Sequence, residues 1–561
     1  LPYVNCEEIF IWYSINMEKR VAVIGAGSSG ITAVKNLVEA GFNQVVCYER
    51  RDVIGGLWFY KETAARWNDE ACVNRSTVVN TSKEFLAYSD FPMPDYFANF
   101  CHNSDVEEYL KKYCKHFGID KYIKLNTEVL SLKKHRTYES TGKWEIQVKD
   151  HSTGNESLED FDFVIVANGH HGEPILPKFP GLENFQGVTM HSRDYKDVRS
   201  TSGSRAVIVG IGNSAGDISV ELGKCMKVFL STRSGAWFHF RLHTSGLPWD
   251  YYYHNRLGHF LRQILPRSYR NSKVKDKLKK RFPHDLFHLT PDFEPDDANP
   301  TLVDDLTDKI ASGRVVIKPN IKLFTKKGVI FEDGTFEDNI DLVVFATGYN
   351  IVYPFIDKEL LNVQDNKVSM YLLMWLPELT KNTLAFLGLC QPIGSMFPIA
   401  EMQSRFIAKV FKGEIVLPSK DDMCKEICAR NKWQSSIYHD SPRNTIRVPW
   451  LPYLDQLAKA VGCKPNMYKL LVTEPRLFWR LLTGPGVSYQ YRLEGPNAWP
   501  GARHAIFTVM DRIKKPFATR PLVQRNASWG KQFVLMTMSF VVFAAATFFA
   551  SEDSKWYLKC F

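Results

Sequence analysis

The sequence predicts an α/β protein with two Rossmann-like dinucleotide-binding domains, a helical insertion and a hydrophobic C-terminal anchor helix. Two observations predict the pair of domains: one glycine-rich strand–turn–helix pattern begins at Val21, and a second begins at Ala206. A third observation predicts the anchor, because residues 533–550 contain no charged side chain. The length of 561 residues is too great for one core and agrees with several domains.

Composition narrows the class of partners. The net charge of +10 suits phosphate-bearing ligands or an anionic membrane surface. We find no basic run with interleaved aromatic residues, so we do not expect nucleic acid binding. The 11 cysteines are irregularly spaced and form no CxxC pair, which argues against a disulfide framework and for a reducing compartment.

The first nucleotide finger, residues 21–49, starts with an apolar strand at residues 21–24 and turns at the pattern GxGxxG. Gly25 permits the tight turn, Gly27 lets the backbone approach a pyrophosphate, and Gly30 lets the following helix pack on the strand. The helix, expected to continue through residues 31–40, presents its N-terminal N–H groups to the phosphates. The pattern predicts a dinucleotide at this turn.

An acidic residue and a second glycine pair specify the nucleotide further. Glu49 ends the second strand, 24 residues after Gly25, and can accept both hydroxyls of an unphosphorylated adenosine ribose. The sequence "RRDVIGGLW" follows at once, and we assign Gly56, Leu57 and Trp58 to the same site. The order of finger, acid and glycine pair is typical of proteins that bind FAD, so we predict FAD here.

The second nucleotide finger, residues 206–233, repeats the architecture with one difference. Gly210 and Gly212 follow an apolar strand, and Ala215 occupies the third glycine position. The next strand ends not in an acid but in "STR", with Arg233 last. A guanidinium can bind a 2′-phosphate that an acid would repel, so we predict an NADPH site. Arg233 could instead be a solvated surface residue, but that alternative would not change the prediction that the finger binds a dinucleotide.

Several stretches resemble the flavin-containing monooxygenases of the animal microsomal type, which are class B flavoprotein monooxygenases. "FQGVTMHSRDY" from Phe185 fits the identifying FxGxxxHxxx(F/Y) motif of that family. The resemblance covers about residues 17–550. Its other motifs are "VVNTSKE" from Val78, "FPMPDYFANF" from Phe91, "GIGNSAGD" from Gly210, "FATGY" from Phe345 and "GPNAW" from Gly495.

The resemblance implies a mechanism in which the cofactors carry most of the chemistry. NADPH reduces FAD, NADP⁺ stays bound, and O2 forms a C4a-hydroperoxyflavin in a site that excludes water. A soft nucleophile, an amine or a sulfide of a small molecule, then takes one oxygen atom. The implied localisation is the endoplasmic reticulum membrane with the catalytic domains facing the cytosol, and a homo-oligomer is compatible with the sequence.

The resemblance also assigns site residues. Asn80 matches the catalytic asparagine of the family, and we place its neighbour Thr81 at the cofactor with it. "NTS" is also a glycosylation sequon, but a catalytic domain in the cytosol argues against that alternative. Asn213 and Ser214 resemble contacts to the nicotinamide nucleotide, and Gln391 in "GLCQPIG" matches a position beside the flavin.

The linker segment, residues 185–196, lies between the two fingers and is too polar for a simple buried strand. The resemblance places it at the junction of the two domains, where His191 and Tyr195 are architectural rather than acid–base catalysts. The sequence departs from the family at "HDLFH", residues 284–288, where "HExxG" is common. His284 and His288 lack a third ligand, so we predict no metal site.

These motifs lead to predicted boundaries. We expect residues 1–16 to be a non-native or disordered extension, 17–170 the first part of the FAD-binding domain, 171–340 the NADPH-binding domain with an insertion at about 235–300, 341–455 the second part of the FAD-binding domain, 456–530 a C-terminal helical region, and 533–550 a membrane anchor that contacts lipid.

We also consider other functions for a protein that binds FAD and NADPH. A Baeyer–Villiger enzyme would oxygenate ketones, although dedicated enzymes of that class usually end the linker motif in Trp where this chain has Tyr195. An uncoupled NADPH oxidase would release hydrogen peroxide. A pyridine nucleotide–disulfide reductase needs a redox-active cysteine pair, and no CxxC is present. A binding protein that had lost turnover would not be expected to keep both fingers and Asn80.

Overall fold

The computed structural model describes residues 18–62, 70–439 and 441–520. The strands are β1 Arg20–Ile24, β2 Gln44–Tyr48, β3 Ile123–Lys124, β4 Thr127–Lys134, β5 Trp144–Asp150, β6 Glu156–Phe161, β7 Phe163–Val166, β8 Glu173–Pro174, β9 Val188–His191, β10 Arg205–Val209, β11 Lys227–Ser231, β12 Phe238–His239, β13 Thr301–Leu302, β14 Val315–Lys318, β15 Ile321–Phe324, β16 Val329–Phe331, β17 Phe336–Glu337, β18 Leu342–Phe345, β19 Tyr349–Asn350, β20 Leu384–Phe386, β21 Gln391–Pro392 and β22 Arg447–Val448. The helices are α1 Ser28–Glu39, α2 Lys83–Leu86, α3 Asn103–Phe117, α4 Tyr138–Thr141, α5 Asn213–Leu222, α6 Trp249–Tyr253, α7 Arg256–Ile264, α8 Arg267–Lys279, α9 Leu306–Ala311, α10 Met396–Phe411, α11 Lys420–Ile437, α12 Trp450–Val461, α13 Met467–Thr473, α14 Pro475–Thr483 and α15 Ala502–Lys514.

The first parallel sheet has the strand order β20–β7–β1–β2–β3. Its central strands "RVAVI" and "FVIV" are apolar and almost fully buried, as expected for strands that are covered on both faces. The turn after β1 leads into α1, which packs against α10. Since β1 pairs with β2 on one side and with β7 on the other, the turn lies where the strand order reverses. Ligands of such sheets bind at this position.

The second parallel sheet has the strand order β14–β11–β10–β18–β9 and carries the second finger between β10 and α5. Its central strand "RAVIV" is buried like β1. The first sheet takes β20 from the chain beyond β18, so its strands come from both sides of the second sheet in sequence. This topology fits a divided first domain, while the domain boundaries themselves stay predictions.

The linker segment forms the edge of the second sheet and the turn that follows. Strand β9 pairs with β18 alone, with His191 opposite Phe345, and Val188 remains 54% exposed. A strand with one neighbour tolerates the polar residues that argued against a buried strand. His191 and Tyr195 are both buried, and Tyr195 belongs to the core of the second sheet.

Two predicted segments, the extension at residues 1–16 and the anchor at residues 533–550, lie outside the described residues. Within the described ranges, no helix combines the length and apolarity that a membrane crossing requires. The mixed α/β class is confirmed.

Candidate active site

The glycines of the first finger permit contacts that any side chain would block. Gly25 has a φ of +100°, and a methyl group placed on it would lie 2.7 Å from the carbonyl oxygen of Ala167, just beyond β7. A methyl group on Gly30 would lie 1.7 Å from the oxygen of Gly25. Gly56, with a φ of +57°, approaches Gly27 so closely that its methyl group would lie 2.8 Å from the Gly27 Cα. The two glycine turns therefore pack backbone on backbone.

Glu49 lies at the end of β2 and is 6% exposed. Its Oε2 accepts a hydrogen bond from the N–H of Ala26 at 2.8 Å, and its Oε1 accepts one from the N–H of Arg51 at 3.0 Å. Arg51 donates through Nη2 to the oxygen of Gly56 at 2.5 Å, while its buried Nη1 has no hydrogen-bond partner among the described residues. An acceptor for ribose hydroxyls and a spare donor thus stand together, which suits a dinucleotide.

A cavity of about 430 Å³ extends from this turn. Its volume lies within the range of small-molecule sites, about 300–1,000 Å³. Gly30 does not line it and instead lets α1 approach the turn. The predicted residues on its wall are Gly25, Gly27, Glu49, Gly56, Leu57, Trp58, Asn80, Thr81 and Gln391. Residues far apart in sequence therefore meet at one cavity.

Asn80 is held by Arg241, which reaches it from the predicted insertion. Nη2 of Arg241 donates to Oδ1 of Asn80 at 2.9 Å, and the same guanidinium donates to the backbone oxygens of Val78 and Val79. Asp304 accepts from Nη1 of Arg241 at 2.7 Å and fixes the guanidinium. Because arginine can only donate, the oxygen of Asn80 must face it. The amide nitrogen of Asn80 is then the end available to the cavity.

A carboxylate holds the same segment two residues later. Asp250, at the start of α6, accepts hydrogen bonds from the N–H of Ser82 at 2.6 Å and from its hydroxyl at 2.9 Å. Burial raises the pKa of Asp250 to about 6. Two residues of the predicted insertion, Arg241 and Asp250, therefore hold residues 78–82 at both ends. Sequence reasoning missed these partners, although Arg241 and Asp250 are charged residues within the largely aromatic stretch "WFHFRLHTSGLPWDYYY".

A row of aromatic rings connects the cavity with the linker segment. His170 and His171 line the cavity and were not predicted. The ring centroid of His171 lies 5.5 Å from that of Tyr349, which lies 5.1 Å from that of His191. Burial lowers the pKa of His171 and of His191 to about 4, so both are neutral at pH 7. These rings therefore pack against one another as uncharged side chains.

The second finger copies the backbone of the first but lies outside this cavity. Gly210 has a φ of +123°, and its methyl group would lie 2.4 Å from the oxygen of Ala346, just beyond β18. Gly212 precedes α5, whose first residue Asn213 accepts from the N–H of Leu302 through Oδ1 at 2.8 Å.

Two further predicted residues of this finger are open to solvent. Ser214 is exposed in the first turn of α5, and Arg233 is exposed just beyond β11. The predicted residues of the second finger thus gather at the carboxyl edge of the second sheet, where a phosphate group could reach them.

Comparisons with known proteins agree with this geometry. The family described as flavin-binding monooxygenase-like matches residues 18–552. Flavin-containing monooxygenase 5 of Rattus norvegicus is 43% identical over 95% of this chain and 98% of its own length. Dimethylaniline monooxygenase [N-oxide-forming] 2 of the same species is 42% identical over 95% of this chain and 99% of its own length.

Solved structures share the fold at lower identity. S-allyl-L-cysteine S-oxygenase from Allium sativum superposes with a TM-score of 0.61, at 23% identity over 89% of this chain and 99% of that chain. Cyclohexanone monooxygenase from Rhodococcus sp. Phi1 bound to NADP⁺ gives a TM-score of 0.59, at 16% identity over 79% of this chain and 97% of that chain. These two structures support the fold alone.

Proposed function

The chain belongs to the flavin-binding monooxygenase family, and we propose that it oxygenates soft nitrogen or sulfur atoms of small molecules. As a member of this family it is an NADPH-dependent flavin monooxygenase that uses FAD, NADPH and O2. The observation that supports the proposal most directly is the orientation of Asn80 on the cavity wall: Arg241 occupies its amide oxygen, and no described residue accepts a hydrogen bond from its amide nitrogen.

The residues of the first cavity suit FAD. The turn at Gly25 and Gly27 would hold the pyrophosphate, and Glu49 the adenosine ribose. Trp58 and Gln391, which both line the cavity, would contact the flavin ring. FAD bound there would accept the two electrons of NADPH and activate O2, so that one oxygen atom would go to the substrate and the other would leave as water.

The second finger suits NADPH. Gly210 and Gly212 would admit the pyrophosphate to the N-terminus of α5, and the exposed guanidinium of Arg233 would bind the 2′-phosphate. Asn213 and Ser214 stand at the first turn of that helix, on the side expected for the nicotinamide nucleotide.

The protein's own contribution is to place donors and to exclude water. A soft nucleophile brings its own lone pair and needs no general base. Two polar groups on the cavity wall suit this role, because His171 is neutral at pH 7 and the amide of Asn80 can donate without titrating. Donation from that amide would stabilise a negatively polarised oxygen at the flavin.

The test is anaerobic reduction of the FAD-loaded protein with NADPH, followed by rapid mixing with O2 while the flavin spectrum is recorded. We expect a long-lived spectrum that matches neither oxidised nor reduced flavin and that decays faster when an amine or a sulfide is added. Immediate return to oxidised flavin with stoichiometric hydrogen peroxide would make the protein an oxidase. Turnover of ketones alone would favour the Baeyer–Villiger alternative.

Asn80→Ala provides the matched variant. It should keep its FAD and its rate of reduction by NADPH, since Arg241 retains its backbone acceptors and Asp304. It should lose the long-lived spectrum. If Asn80→Ala behaves like the parent protein, the role assigned to this amide is wrong.

We also propose that residues 533–550 attach the protein to the endoplasmic reticulum membrane, with the catalytic domains facing the cytosol. The supporting observation is an uncharged run of 18 residues, about the minimum length for a bilayer crossing. Cell fractionation of the full chain and of a chain ending at residue 530 tests this. Equal recovery of both in the soluble fraction would contradict the proposal.

A further inference from the structure

A single arginine lies across the second finger from outside its sheet. Arg443 follows α11 and precedes β22. A methyl group placed on Gly212 would lie 3.9 Å from its Nη1, and one placed on Gly348 would lie 3.5 Å from its Nε. The guanidinium therefore lies close both to Gly212, the second glycine of the finger, and to Gly348, three residues beyond β18.

The charges around Arg443 leave it in need of an anion. No carboxylate among the described residues forms an ion pair with its guanidinium. Arg443 is exposed, yet desolvation by the surrounding protein atoms and the nearby charge of Arg233 both lower the pKa of its guanidinium. Two cations thus lie near one another at a turn whose backbone N–H groups also favour negative charge.

The positions of the two arginines differ in a way that separates two phosphates. In this type of finger the second glycine is where the pyrophosphate approaches, whereas the end of the second strand meets the adenosine ribose. Arg443 lies beside Gly212, and Arg233 follows β11. We propose that Arg443 binds the pyrophosphate of NADPH while Arg233 binds the 2′-phosphate, an inference that rests on the NADPH site proposed above.

The location of Arg443 in the chain extends its role. Four residues later, β22 pairs in parallel with β21, placing Arg447 opposite Gln391 on the wall of the first cavity. A pyrophosphate bound by Arg443 and by the turn at Gly212 would therefore join the second finger to a segment that borders the FAD cavity. This bridge would help to retain the oxidised nucleotide after flavin reduction.

Nucleotide binding to the oxidised, FAD-loaded protein tests the proposal without turnover. Titration calorimetry would compare NADP⁺ with NAD⁺, which share the pyrophosphate and differ in the 2′-phosphate. Arg443→Gln should weaken both nucleotides by a similar factor, roughly ten- to a hundred-fold for a lost charge-assisted contact. Arg233→Gln should weaken NADP⁺ by such a factor and leave NAD⁺ unchanged. Arg443→Lys keeps the charge but not the bidentate geometry, and should recover part of the affinity.

Three results would contradict the assignments. Unchanged binding of both nucleotides by Arg443→Gln, with normal FAD content, would overturn the role of Arg443. A loss confined to NADP⁺ would show that Arg443 reads the 2′-phosphate, which also overturns it. If Arg443→Gln loses its FAD, the same comparison is made with Arg443→Lys, which must then weaken both nucleotides. Failure of the parent protein to bind NADP⁺ would instead remove the NADPH site, and with it the proposed function.

Discussion

The two nucleotide fingers share one backbone solution. In each finger, a glycine with positive φ follows the central strand. A side chain on that glycine would collide with the carbonyl oxygen of an alanine that lies just beyond a neighbouring strand. A methyl group placed on Gly25 would lie 2.7 Å from the oxygen of Ala167, and one placed on Gly210 would lie 2.4 Å from the oxygen of Ala346. The first turn of each finger is thus set by the same steric contact, whichever nucleotide it serves.

The fingers differ at the third glycine position and at the end of the second strand. Gly30 touches the oxygen of Gly25, whereas Ala215 places a buried methyl group at the corresponding position of the second helix. Glu49 is buried and bonded to two backbone N–H groups, whereas Arg233 is exposed. The first finger therefore forms part of the wall of a cavity, whereas the second lies at an exposed edge that carries a positive charge.

This difference suggests why one nucleotide is resident and the other exchanges. A second glycine turn covers the first finger, because Gly55 donates to the oxygen of Ala26 at 3.0 Å and Gly56 approaches Gly27. Beside Gly212 of the second finger we find instead the exposed side chain of Arg443. A nucleotide that must enter and deliver hydride needs such an open site.

The largest effect, on FAD binding, should follow when the third glycine of the first finger is replaced by the alanine that the second finger has at that position. In Gly30→Ala the new methyl group would overlap the oxygen of Gly25, so the turn must open. Overpacking this severe, against a backbone atom, costs about 3 kcal/mol, the upper end of the usual range, which corresponds to roughly a hundred-fold weaker FAD binding. The flavin absorbance per protein after gel filtration measures it. The matched variant Ala215→Gly should keep its FAD, and equal flavin content in both variants would contradict the steric argument.

A smaller loss is expected from Glu49→Gln. The amide would present one donor where the carboxylate accepts from the N–H of Ala26 or of Arg51, leaving one of these contacts unmade. A hydrogen bond to a charged group is worth about 1.5–3 kcal/mol, so we expect FAD binding to weaken by at least roughly ten-fold. Fluorescence titration of the FAD-free protein with FAD measures this change. An unchanged dissociation constant would show that Glu49 supports the turn without contacting the ribose.

A third test breaks the contact between the insertion and the first cavity. In Arg241→Met the oxygen of Asn80 loses its donor, and the amide can rotate away from the cavity. Loss of one charge-assisted bond predicts roughly a ten-fold larger share of NADPH electrons released as hydrogen peroxide. The ratio of peroxide to NADPH consumed measures it.

Asp304→Asn is the control for this test. It removes the charge partner of Arg241 but leaves the guanidinium beside Asn80. Its peroxide yield should therefore rise less than that of Arg241→Met. Equal yields in the two variants would show that the position of Arg241, not its bond to Asn80, controls the outcome.

The parts of the molecule that follow from short sequence patterns were predictable. Strands expected at residues 21–24 and 206–209 form as Arg20–Ile24 and Arg205–Val209, because glycine turns and apolar runs act over a few residues. The first helix starts at Ser28, three residues before the expected position, since the glycine turn itself enters the helix. Local rules could not reveal the contact between Arg241 and Asn80, which are 161 residues apart.

The linker segment shows a different limit. Its polar residues argued against a buried strand, yet Val188–His191 is a strand because an edge position buries only part of it. Sheet order, not the segment's own composition, decides this. Likewise, nothing near Arg443 in sequence indicates a nucleotide, since Gly212 and Gly348 lie in segments that reach it only through the tertiary fold.

The smallest expected effect is on the pH dependence of stability. It concerns a position at which the two finger helices differ, since the first has Thr32 where the second has Asp217. Burial raises the pKa of Asp217 to about 6, with Asp304 and Glu221 acting in the same direction and Arg241 opposing them. The folded protein therefore holds this proton more tightly than the unfolded chain, and stability falls as pH rises from about 4 to about 6. Asp217→Asn lacks that loss, so its unfolding free energy relative to the parent should increase over the same range and stay constant above it. We expect an increase of roughly 1 kcal/mol, less than the full pKa shift implies, because Asp217 is partly exposed and solvent screens its charge. Urea unfolding of the two proteins at pH 4, 5, 6 and 7 measures the difference, and Asp217→Thr should show the same trend. A difference that is independent of pH would mean that Asp217 is ionised at little cost, and that Arg241 stabilises it as well as it orients Asn80.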